Sequence, residues 1–228
     1  MQSLSLDAPH NQLIADCSGA LVWPEENLLV VSDLHLEKGS FFAYRGSAIP
    51  PFDSRASLDR LSKVLERWSP RRIISLGDSF HDIDGCNRLS TTDRQIIEGL
   101  TSRYDWIWVS GNHDPTPPDD LGGASAKEVI IGDIVFRHLP SDENDQAEIA
   151  GHLHPKASVK ARGRRVSRPC FVSDQRRVLL PAFGSYAGGL NVLNPAVATL
   201  FPGDYHAYLL GEDRVHRVAK HQIERSAH

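Results

Sequence analysis

Asp33 and His35 stand one residue apart at the end of the run LLVVSDLHLE. A carboxylate oxygen and an imidazole nitrogen aimed at one point suit a divalent metal ion. In an extended segment, residues two apart share a side, which is how this pair would converge. Four more groups with the same chemistry follow: Gly77-Asp78, Gly111-Asn112-His113-Asp114, His138 closing IVFRH, and Gly151-His152-Leu153-His154. Asp, Asn and His together are donors of intermediate hardness, fitted to Mn²⁺, Fe or Zn²⁺ better than to a thiolate-preferring metal. Asp33, His35, Asp78 and His154 can hold one ion; Asp78, Asn112, His138 and His152 can hold a second, with Asp78 bridging. Two ions about 3.5–4 Å apart clamp a phosphoryl group and share a water. Metal-bound water reaches a pKa of about 7 in favourable zinc sites, so a bridging hydroxide is the expected nucleophile. His113 adjoins a ligand but points elsewhere; it can donate a proton to the leaving oxygen, with Asp114 or Asp82 orienting it.

These residues need strands to position them. Residues 28–32, 72–76 and 106–110 read as buried strands, each ending where a motif begins. Residues 54–68 carry Leu58, Leu61, Val64, Leu65 and Trp68 at helical spacing, with Ser54 as a candidate cap. A second helix is expected at 92–100. Strand, helix, strand, helix, strand argues for a parallel arrangement with ligands at the strands' carboxyl ends. Residues 12–23 suggest a first strand or hairpin; 37–51 and 84–90 read as loops. Beyond Asp114 the β-like runs are short: 128–131, 134–138, 148–150, 159–161, 170–173, 178–180, 198–201 and 215–218. They suggest a mostly antiparallel second sheet, and 221–228 a frayed tail.

Composition narrows the class. The chain has 228 residues, 40% hydrophobic and 24% charged, with a formal net charge of -4. That fits one globular domain over 1–228 and carries no overall basic signature. Cys17, Cys86 and Cys170 are far apart and suggest no disulfide framework. No stretch approaches the roughly 18 apolar residues of a membrane span, so a soluble, cytoplasmic protein is expected.

The joint pattern D-x-H, G-D, G-N-H-D, H, G-H-x-H resembles the calcineurin-like metallophosphoesterases over residues 28–155. The resemblance implies an α/β fold, a four-layer α/β/β/α sandwich of two mixed sheets flanked by helices. It also implies two divalent metal ions, often manganese in bacterial members, and phosphoester hydrolysis with the ligand roles given above. The superfamily usually has an Asp three residues after the bridging Asp; here that position is His81, and Asp82 follows. The strings SDLHLEKGSFFAYRG, LGDSFHD and AGHLHP are similar to small bacterial metallophosphoesterases associated with DNA ligase. That likeness implies a nuclease or phosphodiesterase in DNA repair, with DNA ligase and other repair proteins as partners. Alternatives are a phosphomonoesterase or small-nucleotide phosphohydrolase on the same metals, and a nucleic-acid or repair-complex binding subunit with weak catalysis.

Several residues outside the motifs bear on the substrate. Arg45 can hold phosphate oxygens in a fork. Phe41, Phe42 and Tyr44 can stack on a base or anchor their segment to the core. Lys156, Lys160, Arg162, Arg164, Arg165 and Arg168 form a basic run beside the last motif, with Lys156 nearest. It can track a nucleic-acid backbone or be a solvated hairpin. Residues 184–189 (GSYAGG) are glycine-rich without phosphate-cradle spacing and read as a tight loop near the site.

Overall fold

Two sheets lie face to face and share a rim on which the candidate ligands stand. The computed structural model describes residues 3–5, 13–47, 49–116, 118–142, 146–161 and 163–224. The first sheet contains β1 (Ser3–Ser5), β2 (Ile14–Asp16), β3 (Leu21–Trp23), β4 (Leu28–Val31), β5 (Arg72–Leu76), β6 (Asp105–Val109) and β7 (Ala124–Ala126), in that spatial order. From β1 to β4 the strands are antiparallel; from β4 to β7 they are parallel. Four helices punctuate this half: α1 (Lys38–Tyr44), α2 (Asp53–Trp68), α3 (Gly85–Arg88) and α4 (Thr91–Arg103).

The second sheet contains β8 (Glu128–Ile131), β9 (Ile134–Arg137), β10 (Ala147–Ala150), β12 (Arg164–Ser173), β13 (Arg177–Leu179), β14 (His206–Leu210) and β15 (Val215–Ala219). Its order is β15-β14-β12-β13-β10-β9-β8, and off this path β11 (Lys156–Ala161) pairs with the long β12. Most pairings are antiparallel, but β10 runs parallel to both β9 and β13. That exception matters, because His138 follows β9 and His152 follows β10: parallel strands deliver both to one end.

Three layers of apolar packing hold this together. Val30, Ile74 and Leu76 meet Phe136, Ile149 and Phe171 between the sheets. Leu29, Val31 and Ile73 meet Leu58, Leu61 and Leu65 of α2 on the first sheet's outer face. β4 is thus buried on both faces, which is why its sequence is a continuous apolar run and not an alternating one. Burying each such Leu or Val contributes about 1.5–3 kcal/mol before the entropy of ordering it is counted. On the far side of the second sheet, α5 (Pro195–Ala198) and flanking loop residues bring Val192, Val197 and Phe201 onto Cys170, Val172 and Leu179. The four layers are those expected, with a thin outer one here.

Some expectations fail for local reasons. Residues 38–44 form helix α1 where a loop was expected; Asp53 Oδ2 accepts from the Gly39 N–H at 3.0 Å and anchors it. Residues 85–88 form a helical turn inside the expected 84–90 loop. Residues 198–201 are not a strand: Asn194 caps α5, with Pro195 in its first turn. The strand β14 carries no clear alternation in HAYLL and was not anticipated. Ser54 does not cap α2, whose N-cap is Phe52; its hydroxyl donates instead to Glu37 Oε1 at 2.7 Å. His10, Arg162, His228 and part of the 221–228 tail lie outside the described residues.

Candidate metal centre

Backbone hydrogen bonds stitch the turn after β4 to that after β5, and the turn after β9 to that after β10. Asp33 N–H donates to the Gly77 carbonyl (3.1 Å), His35 N–H to Asp78 (2.9 Å) and Gly151 N–H to His138 (3.0 Å). The convergence of Asp33 and His35 does not come from an extended strand. Asp33 (φ 54°), His35 (φ 43°), Glu37 (φ 65°), Asp78 (φ 46°), His152 (φ 70°) and His154 (φ 45°) all adopt the left-handed region. Alternate left-handed residues fold the backbone so that both side chains face inward. Each such residue costs about 1–2 kcal/mol in an L-amino acid, which tertiary packing must offset.

The donors fall into two groups. Asp33, His35 and His154 form one; Asp78, His138 and His152 form the other, with the ligand atoms in each group within 4.8 Å of one another. His154 Nε2 lies 3.1 Å from Asp33 Oδ1 and 3.3 Å from His35 Nε2. His138 Nε2 lies 3.3 Å from Asp78 Oδ2 and 3.0 Å from Asn112 Oδ1. Asp78 Oδ2 is also 3.9 Å from His35 Nε2, so this carboxylate stands between the groups. The Leu76 carbonyl, 3.0 Å from His138 Nδ1, fixes a proton there and leaves Nε2 facing the centre.

Two features fit this arrangement to cations. Asp33 Oδ1, His35 Nδ1 and His152 Nδ1 are buried without a hydrogen-bond partner. Further, among the described residues only histidines stand within ion-pair distance of the buried Asp33 and Asp78. Burial pushes the His35 imidazole down to about 3 despite Asp33 beside it, so it remains neutral. Burial, then the charge of His138, lowers His152 as well. Burial works against both carboxylates too, yet both are held low: Asp33 by the hydrogen bond and charge of His154, and Asp78, at about 2, by His138. His138 rises in return, because its bond to Asp78 and the charge of Asp33 outweigh burial. Two buried carboxylates side by side, with the His35 and His152 imidazoles beside them held below their usual range, suit positive charge from outside the chain.

His113 is half-exposed, with Nε2 4.0 Å from Asp78 Oδ2. Neither carboxylate expected to orient it does so. Asp114 Oδ2 accepts from the Ser79 and Phe80 N–H groups at 2.7 and 3.0 Å. Asp82 pairs with Arg88 at 2.6 Å. His113 Nδ1 instead donates to the His81 carbonyl at 2.7 Å. The reason is local: both acids are closer to backbone N–H groups or an arginine than to the imidazole. His81 stacks on His113 with ring centroids 5.3 Å apart, and its imidazole can join His35 and His113 in a third cluster. Burial, then the charge of Lys38, lowers His81 to about 4.

Arg45 does not reach the donors; its guanidinium lies 4.2 Å over the Phe41 ring, which packs against His81. Phe41 and Phe42 thus anchor α1 to the site, whereas Tyr44 is 90% exposed. Lys156 opens β11 two residues after His154, half-buried. Sequence reasoning passed over Ser32, whose hydroxyl donates to Asp33 Oδ2 at 2.5 Å. It also passed over the His113 and His152 N–H groups, which hold Asp78 and Asp33 at 2.9 and 3.0 Å. Backbone donors leave no signal in residue identity.

No family model and no curated protein matches the chain. Among solved structures, the crystal structure of Pseudomonas putida nuclease MPE is similar to it, with a TM-score of 0.73 and 25% identity, covering 95% of this chain and 99% of that one. A phosphoesterase from E. coli, YfcE, superposes more loosely, with a TM-score of 0.42 and 13% identity over 84% of this chain and 98% of that one. With two facing mixed sheets and all five motifs gathered on one rim, the chain matches the metallophosphoesterase superfamily in fold.

Proposed function

We propose that the chain is a metal-dependent phosphodiesterase acting on nucleic acid. The observation that carries this reading is the pair of donor groups sharing Asp78, with buried carboxylates that pair with no lysine or arginine among the described residues. The P. putida neighbour is a nuclease, which supports nucleic acid as the substrate class. Asp33, His35, Asp78 and His154 would hold one ion, and Asp78, Asn112, His138 and His152 the other. Such ions supply Lewis acidity, for activating water at neutral pH and for neutralising phosphoryl oxygens. Manganese suits the mixed oxygen and nitrogen donors, as do iron and zinc.

The chain's own groups do the rest. Asp33 and Asp78 are held by backbone N–H groups, so the donor geometry is set before substrate arrives. His113 keeps its Nδ1 proton on the His81 carbonyl, which leaves Nε2 on the side of the donor centre, 4.0 Å from Asp78 Oδ2. From there it can donate to the leaving oxygen. The likeness to ligase-associated proteins makes DNA the first substrate to test and a ligase the first partner. Cys17, Cys86 and Cys170 are free thiols, which suits a reducing compartment such as the cytoplasm.

The test is hydrolysis of a labelled DNA panel and a generic phosphodiester, with added Mn²⁺ and after chelation. Mn²⁺-dependent DNA cleavage is expected. Asp78→Ala and Asn112→Ala should each lower it by about 100-fold or more while leaving the circular dichroism spectrum unchanged. Full activity in both variants would overturn the two-ion assignment. Strong preference for a phosphate monoester would move the substrate to a smaller molecule.

A further inference from the structure

The glycine-rich segment 184–189 presses against both ends of the first donor group. Phe183 and Gly184 N–H donate to the Ser32 and Asp33 carbonyls at 2.8 and 3.0 Å. A Cβ on Gly184 would collide with the Leu34 carbonyl oxygen, and one on Gly189 with that of His154. Only glycine lets the chain pass so close. Between this segment and α2 lies a cavity of about 260 Å³, lined by Arg60, His154, Ser185, Gly188 and Pro169 among others. His154 therefore faces both this cavity and the metal centre. The volume is just below the roughly 300–1,000 Å³ of drug-sized ligand pockets, room for part of a larger substrate.

Arg60 is the cation of this cavity. Its Nη2 donates to the Phe183 carbonyl, and its guanidinium lies 4.5 Å over the Phe183 ring. Its Nε is buried with no hydrogen-bond partner. Among the described residues, no carboxylate pairs with Arg60 and none lines the cavity. Burial, with no counter-charge to oppose it, weakens its hold on its proton. Arg60 thus lines the cavity as a planar cation held in place by a carbonyl and a ring, with no carboxylate beside it among the described residues, an arrangement suited to an oxyanion. At the cavity's edge, Pro169 adjoins the exposed Arg168 on β12.

Resting on the nuclease reading above, we infer that this cavity receives a substrate phosphate neighbouring the scissile one, with Arg60 as its anchor. The preferred substrate is then a strand with at least two phosphates, not a cyclic nucleotide or a monoester.

The experiment compares the full-length wild-type chain with Arg60→Gln and Arg60→Lys. The substrates are a short labelled oligodeoxynucleotide and bis(4-nitrophenyl) phosphate, a diester with a single phosphate. Arg60→Gln should raise KM for the oligonucleotide by about tenfold or more. Turnover of the small diester should stay within roughly twofold of wild type, and Arg60→Lys should fall between. Oligonucleotide binding to chelator-treated protein, read by fluorescence anisotropy, should weaken alongside. Replacing one flanking phosphate by an uncharged methylphosphonate should reproduce the loss in wild type and add nothing in Arg60→Gln. This arm needs no variant, so it decides the matter even if Arg60→Gln misfolds; insensitivity at every flanking position would overturn the subsite. So would equal losses on both esters, or no loss on the oligonucleotide. Wild-type turnover of the small diester with the oligonucleotide untouched would instead overturn the nuclease reading, and the subsite with it.

Discussion

Asp114 lies beside the proposed acid without touching it, and its role is architectural. Its Oδ2 gathers the Ser79 and Phe80 N–H groups, which follow Asp78 directly. Burial, then the negative charge of Asp78, pushes its carboxyl up to about 7, although the two N–H bonds pull the other way. Asp114→Ala would leave both N–H groups buried and unpaired, at about 1–3 kcal/mol each. We expect urea melts to show that loss, and Asp114→Asn, which keeps an acceptor, to retain most of the stability. Activity should fall with Asp114→Ala because the turn that presents Asp78 loosens. The donor groups that the structure gathers were legible in the sequence, because Asp, Asn and His recur there beside glycines at the ends of apolar runs. The partners of His113 and Asp114 were not, because a carbonyl or an N–H can come from any residue.

Helix α1 shows the same limit one level up. Lys38–Tyr44 is short for an autonomous helix, and its N-cap, Glu37, is left-handed with no side-chain capping bond. It forms because α2 holds it: Asp53 Oδ2 accepts from Gly39 N–H, while Ser54 receives Glu37 N–H at 2.8 Å. None of this is visible in local periodicity, whereas the apolar stripe of α2 and the runs of β4, β5 and β6 are. Asp53→Ala should therefore destabilise the fold by only about 1 kcal/mol but speed amide exchange in residues 38–44 selectively. Since Phe41 and Phe42 pack on His81, activity should drop more than stability does. Uniform exchange across the chain would show that α1 is held by other contacts.

Across the whole molecule, the rim depends on each sheet keeping its own strand register. Arg177 and Glu148, both buried, pair between β13 and β10, and Arg177 also donates to the Leu200 and Ser141 carbonyls. The order of elements foretold the two-sheet layout; the parallel β9–β10 pair, which seats His138 beside His152, needed the structure. Metal binding should act on this whole assembly. An ion binding only the folded state adds about 2.7 kcal/mol at a hundred times its Kd. For a chain of this size that raises Tm by roughly 5–10 °C. Calorimetry with and without chelator should show it, and no shift would argue against ions at these residues. The left-handed turns at Asp33, His35, Asp78, His152 and His154 carry one more implication, for transplanting such a site. A D-x-H or H-x-H string moved onto a straight strand end in another scaffold would bring every donor atom yet aim them apart. What must be borrowed is the handedness of the backbone, and with it a host core stable enough to tolerate that distortion.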